Sequence, residues 1–98
     1  MRLQPADIDA IKAAAAETFG ADAVVRLFGS RVDDTLRGGD IDLHVETDPV
    51  TDEWHARDAF LDRLFTQIER QKVDVVITQR GGTPRGFERI AYRDGIVL

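Results

Sequence analysis

Three aspartates stand at spacings that let carboxylates share one task. Asp40 and Asp42 are two residues apart in Asp40-Ile41-Asp42-Leu43-His44-Val45, and the alternation of a strand puts both on one face while Ile41, Leu43 and Val45 turn to the other. Two carboxylates held side by side repel each other unless a cation or a proton sits between them, so the pair implies a site for a hard divalent metal. Asp74 interrupts the apolar run Val73-Asp74-Val75-Val76-Ile77. That run reads as a central strand, where an unpaired charge is costly and must be compensated. If the strand lies beside the one carrying Asp42, Asp74 completes a cluster of three acids.

The elements that must position these residues follow from local signals. Pro5 suits the first position of a helix, Gln4 is the capping position, Leu3 can pack on Ile8, and Ile8, Ile11, Ala15 and Phe19 recur at helical spacing before Gly20 ends the run. Ala23 to Phe28 reads as the first strand and leads into Gly29-Ser30. Residues Arg31 to Gly39 read as a loop or short turn, and Asp40 to Glu46 as the second strand. Thr51 or Asp52 can cap a long helix, Glu53 to Gln71, with Trp54, Leu61, Leu64, Phe65 and Ile68 as its buried stripe. Val73 to Thr78 is the third strand. Thr83-Pro84 opens a short helix that runs to Asp94-Gly95, and Ile96-Val97-Leu98 is a last short strand or a docked apolar tail. The expected fold is an α/β (α+β) domain over residues 1–98, with a mixed sheet flanked by helices in the order α-β-β-α-β-α.

Composition narrows the function classes. The chain has 98 residues, 43% of them hydrophobic and 32% charged, with no cysteine. Disulfides and thiolate metal sites are thereby excluded, and no apolar run approaches the roughly 18 residues of a membrane span. A cytoplasmic location is the expectation. Residues 1–69 carry 7 basic and 15 acidic side chains, whereas residues 70–98 carry 6 basic and 3 acidic. An acidic body disfavours autonomous nucleic-acid binding, which draws its affinity from phosphate neutralisation. No Gly-x-x-x-x-Gly-Lys-Ser/Thr run is present, which disfavours a P-loop enzyme.

Gly29-Ser30 followed at short range by Asp40-x-Asp42, with Asp74 as a third acid, resembles the signature of the DNA polymerase β-type nucleotidyltransferases. The small size resembles the minimal nucleotidyltransferase branch. The resemblance implies that Asp40 and Asp42 bridge two Mg²⁺ ions and that Asp74 holds the metal nearer the attacking hydroxyl and accepts its proton. It also implies a nucleotidyltransferase fold and transfer of a nucleoside monophosphate, AMP from ATP, to a hydroxyl acceptor. Gly29 and Ser30 then fit the phosphate end, since glycine lets the backbone approach and the exposed N–H groups and the Ser30 hydroxyl can hold phosphate oxygens; Arg31 can add a bidentate contact. A chain with no room for an acceptor-binding domain needs a partner. In the minimal branch that partner is a helical HEPN protein acting as toxin, with the nucleotidyltransferase as antitoxin. The rival readings are a binding module that covers such a partner without turnover, and a nucleotidyltransferase acting on a small molecule or nucleic acid. His44 shares the face of Asp42 and reads as half-exposed rather than as a ligand, because Mg²⁺ prefers oxygen. Arg85, Arg89 and Arg93 form a basic stripe that reads as a solvated face or, alternatively, a docking surface.

Overall fold

In the computed structural model, which describes residues 3–28, 41–82 and 86–98, Pro5 opens helix α1 (Pro5–Phe19). A fixed φ and a missing N–H cost nothing in a first turn. Gln4 is the cap residue, as its position suggested, but its side chain makes no capping bond. Its carbonyl closes the turn instead, accepting from the Asp7 and Ile8 N–H groups at 3.0 and 3.1 Å. At the far end Gly20 adopts φ 106° and donates its N–H to the Ala16 carbonyl, a backbone that a side chain would strain.

Four strands form one mixed sheet among the described residues: β1 (Val24–Phe28), β2 (Ile41–Thr47), β3 (Val73–Gln79) and β4 (Ile96–Val97), in the order β3-β2-β1-β4. β1 runs antiparallel to both β2 and β4, while β2 and β3 are parallel. A parallel pair needs a crossover, and helix α2 (Glu53–Leu64) supplies it. Asp52 caps this helix by accepting the His55 N–H at 3.1 Å.

Alternation then sorts the sheet into two faces. Val25, Leu27, Ile41, Leu43, Val45 and Val75 point to one side and meet Ile11, Ala14, Ala15, Phe60 and Leu64 of α1 and α2. The alanines of α1 let that helix approach closely. Phe60 and Leu64 are fully buried, each contributing about 1.5–3 kcal/mol by leaving water. The opposite face lies against helix α3 (Gly86–Asp94), which packs on β1 and β3. Gly95 allows α3 to turn into β4: a Cβ there would run into the Ala91 carbonyl oxygen, which instead accepts the Gly95 N–H at 2.8 Å.

Three expectations about these elements are corrected. α2 stops at Leu64 rather than Gln71; Phe65 forms its C-cap, and the Thr66 hydroxyl donates to the Arg63 carbonyl at 2.7 Å. Its deep stripe is Phe60 and Leu64, and Trp54 lies outside it at 71% exposure. Among the described residues β3 is an edge strand rather than a central one. The start of α3 at Thr83-Pro84, and Arg85, lie outside the described residues.

Candidate active site

Register decides which side chains meet. Phe28, Asp42 and Asp74 form one row across β1, β2 and β3. Arg26, His44 and Val76 form the next, and Val24, Glu46 and Thr78 the third. Register partners share a face of the sheet, and neighbouring strands are about 4.8 Å apart. Asp42 and Asp74 are therefore neighbours on one face, although 32 residues of sequence divide them (74 minus 42). This is the face opposite the α1/α2 core, because Ile41, Leu43 and Val75 take the intervening positions and are buried there. Asp42 is half-buried and Asp74 exposed.

The position of the row matters as much as its face. Asp42 and Asp74 are each the second residue of their parallel strands, and Phe28 is the last residue of β1. All three strands thus present the same end, where the chain leaves β1 after Phe28 and enters β2 at Ile41. Gly29, Ser30, Arg31 and Asp40, together with Arg37, lie outside the described residues. Of the expected site, then, the sheet brings Asp42 and Asp74 together.

The donor chemistry fits a hard divalent cation, since both groups offer carboxylate oxygens from adjacent strands on one solvent-facing side. Among the described residues no group of three or more His, Cys, Asp or Glu side chains is arranged to hold a metal, so the described donors are a pair. The compensation expected for Asp74 is also of a different kind. Asp74 is exposed rather than enclosed between strands.

One row further along, the same face is closed. His44 is completely buried, not half-exposed, because the Tyr92 ring of α3 packs against it edge-on at 4.8 Å. A hydrogen bond of 2.8 Å joins His44 Nε2 to Thr78 Oγ1, while Nδ1 is buried without a partner among the described residues. The Arg26 guanidinium lies 4.6 Å over the same Tyr92 ring and pairs with Glu46 at 3.1 Å. Burial first, and then the Arg26 cation, lower the His44 pKa against the opposing pull of Glu46 and Glu88. Burial, followed by the charge of Glu46 and a hydrogen bond to it, raises that of Tyr92. Buried beneath Tyr92 and bonded to Thr78, His44 packs the interior of this face. This network of Arg26, His44, Glu46, Thr78 and Tyr92 was missed from the sequence, although the alternation Asp42, His44, Glu46 was a signal for part of it.

The described residues thus set facing acids on two parallel strands joined through a helix, beside an antiparallel strand that ends in the same row. Residues 8–95 match the nucleotidyltransferase domain family, and with nearly the whole chain covered the protein belongs to that family. No curated protein matches the chain. The mixed sheet with its three helices is the nucleotidyltransferase fold, the general activity is nucleotidyl transfer from a nucleoside triphosphate, and such domains generally use divalent metals.

Proposed function

We propose that residues 1–98 act as one minimal nucleotidyltransferase domain that transfers AMP from ATP to a hydroxyl group of a partner protein. Asp40, Asp42 and Asp74 hold magnesium, two ions in the full site, and Gly29, Ser30 and Arg31 hold the triphosphate. The observation that carries this reading is the register of Asp42 with Asp74 at the sheet end where β1 is joined to β2. Magnesium bound there would supply charge neutralisation at the entering and departing oxygens of an in-line displacement.

The chain's own groups have separable tasks. Asp42, flanked by buried Phe28, is the fixed member of the pair. Asp74, exposed on the edge strand, is open to an acceptor from the free side of the sheet and takes the hydroxyl proton. Gly29 and Ser30 follow directly on Phe28, at the end of the strand next to Asp42, and the backbone N–H groups and hydroxyl of such a step suit the β- and γ-phosphates. The partner is a small helical HEPN-type protein, the pair works as toxin and antitoxin, and the setting is the cytoplasm. No described helix is long and apolar enough to cross a membrane.

The test combines the purified chain, Mg²⁺, α-labelled ATP and a helical HEPN-type protein as acceptor. Label on the partner that requires Mg²⁺ and disappears with Asp42→Asn is expected. If a double variant, Asp40→Ala with Asp42→Ala, neutralises the partner as well as the unaltered chain does, the enzyme reading fails and the covering module replaces it.

A further inference from the structure

Among the described residues the sheet ends on β3, and this edge carries features that nucleotide binding leaves unused. Its backbone phase is fixed by the bonds at the two ends of the ladder, Ile41 N–H to the Lys72 carbonyl at 3.1 Å and Arg80 N–H to the Thr47 carbonyl at 2.6 Å. In a parallel ladder this turns the backbone groups of Asp74, Val76 and Thr78 toward β2 and those of Val73, Val75 and Ile77 toward the open side. Among the described residues no strand lies beyond them. Natural edges are usually blunted by lysine, proline or a bulge; β3 is Val-Asp-Val-Val-Ile-Thr-Gln.

Trp54 flanks this edge. It is the sole tryptophan of the chain and 71% exposed, and with Glu53, Arg57, Val75 and Ile77 it lines a cleft of about 130 Å³. The Arg57 guanidinium stacks 4.9 Å over the Trp54 ring. Its Nε is buried without an acceptor among the described residues. An apolar strand edge, an exposed aromatic platform and a guanidinium whose Nε has no acceptor among the described residues therefore coincide beside the strand that bears Asp74.

We propose that the β3 edge is the docking site of the acceptor: an extended protein segment adds to β3 as a further strand, setting a serine, threonine or tyrosine in the row of Asp42 and Asp74 and an acidic side chain, on the other face, against Arg57. This rests on the reading that the chain transfers a nucleotide to a protein hydroxyl. Main-chain bonds to Val73, Val75 and Ile77 supply the affinity and the side-chain alternation supplies the selection. At a strand spacing of about 4.8 Å, the residue in register with Asp74 lies beside its carboxylate. Residues an odd number of positions away face Trp54 and Arg57, where Glu53 disfavours a segment with several acids. In the reaction the hydroxyl oxygen bonds to the α-phosphorus and the bond from that phosphorus to the bridging oxygen breaks. Pyrophosphate leaves with the electron pair, and the hydroxyl proton passes to Asp74 and then to water.

The probes are nine-residue peptides of alternating glutamine and valine, with tyrosine in the central glutamine position and one valine, one or three residues away, replaced by glutamate or lysine. Each glutamate peptide is also made N-methylated on alternate backbone amides, in both phases. Binding is read from Trp54 emission and transfer from α-labelled ATP with Mg²⁺. A glutamate peptide should shift the emission saturably and become labelled, the lysine peptide should bind at least fivefold more weakly, and methylation in one phase only should remove both signals. Val75→Pro loses an outward N–H and leaves the β2–β3 ladder intact, so it should abolish peptide binding while the thermal shift given by ATP and Mg²⁺ persists. The proposal is overturned if no peptide moves the emission, or if both methylation phases behave alike. It is equally overturned if sedimentation shows a dimer that Val75→Pro dissociates, since a second copy then occupies the edge. A phase-dependent emission change without label supports docking and overturns the transfer reading; label that ignores methylation does the reverse.

Discussion

Two ends of one sheet face, built from the same strands, have opposite characters. The row of Phe28, Asp42 and Asp74 carries two carboxylates, one half-buried and one exposed, whereas the row of Arg26, His44 and Val76, about 7 Å further along the strands, has its histidine covered by Tyr92. Residue type alone would assign them the other way, since histidine is the more versatile acid-base group. Cover decides instead. The imidazole is walled in by an aromatic ring, while Asp74 stays exposed beside a half-buried Asp42.

This contrast can be broken first at the open end. Asp74→Asn should lower nucleotidyl transfer by about 10²–10³-fold or more while changing unfolding free energy by less than about 0.5 kcal/mol; steady-state assays and denaturant titration on the same preparation check it, and a large stability loss would show that Asp74 is structural. His44→Ala should do the reverse, costing about 2–4 kcal/mol through the lost ring packing and the stranded Thr78 hydroxyl, with transfer retained per folded molecule. Gly95→Ala should cost about 1–3 kcal/mol, because the new methyl group displaces the Ala91 carbonyl and with it the helix that closes the sealed end; the melting temperature reports it.

The smallest effect is a pH dependence. The folded chain favours neutral His44, since burial and Arg26 lower its pKa, whereas the unfolded imidazole binds a proton at about pH 6.5. The unfolded state therefore takes up more protons as the pH falls, and the stabilisation present above about pH 6.5 is lost progressively below it. Urea titrations in metal-free buffer at pH 7.5 and 5.5 should show a fall that His44→Gln diminishes. An identical fall in the variant would assign the acid sensitivity to other groups.

Much of the scaffold was legible from local chemistry. Pro5 and Gly20 bound α1, Asp52 caps α2, and the alternation of Asp42 with Leu43 and Val45 gave the sheet its two faces. The placement of Asp74 on a strand beside that of Asp42 was legible as a condition and holds, and the two strands run parallel. What local pattern could not supply was coverage by remote parts of the chain. Burial of His44 depends on Tyr92, 48 residues later (92 minus 44), and the apolar look of β3 arises from one face packed on the α1/α2 side while its edge stays open. The early end of α2 has a similar cause: no glycine or proline marks it, and a threonine hydroxyl turned back onto the Arg63 carbonyl does the work of a stop signal. Gly29, Ser30, Arg31 and Asp40 stand as sequence inferences and lie outside the described residues.

The crossover through α2 behaves as a ruler. Deleting one residue between Leu64 and Val73 either stretches the connection or advances the third strand by a step. An advanced strand would present Val75 in place of Asp74 and rotate every carboxylate, valine and threonine of that strand to the wrong side. The length of the segment between helix and strand thereby sets which side chains share the row, and a single deletion that removes no acid would separate the pair.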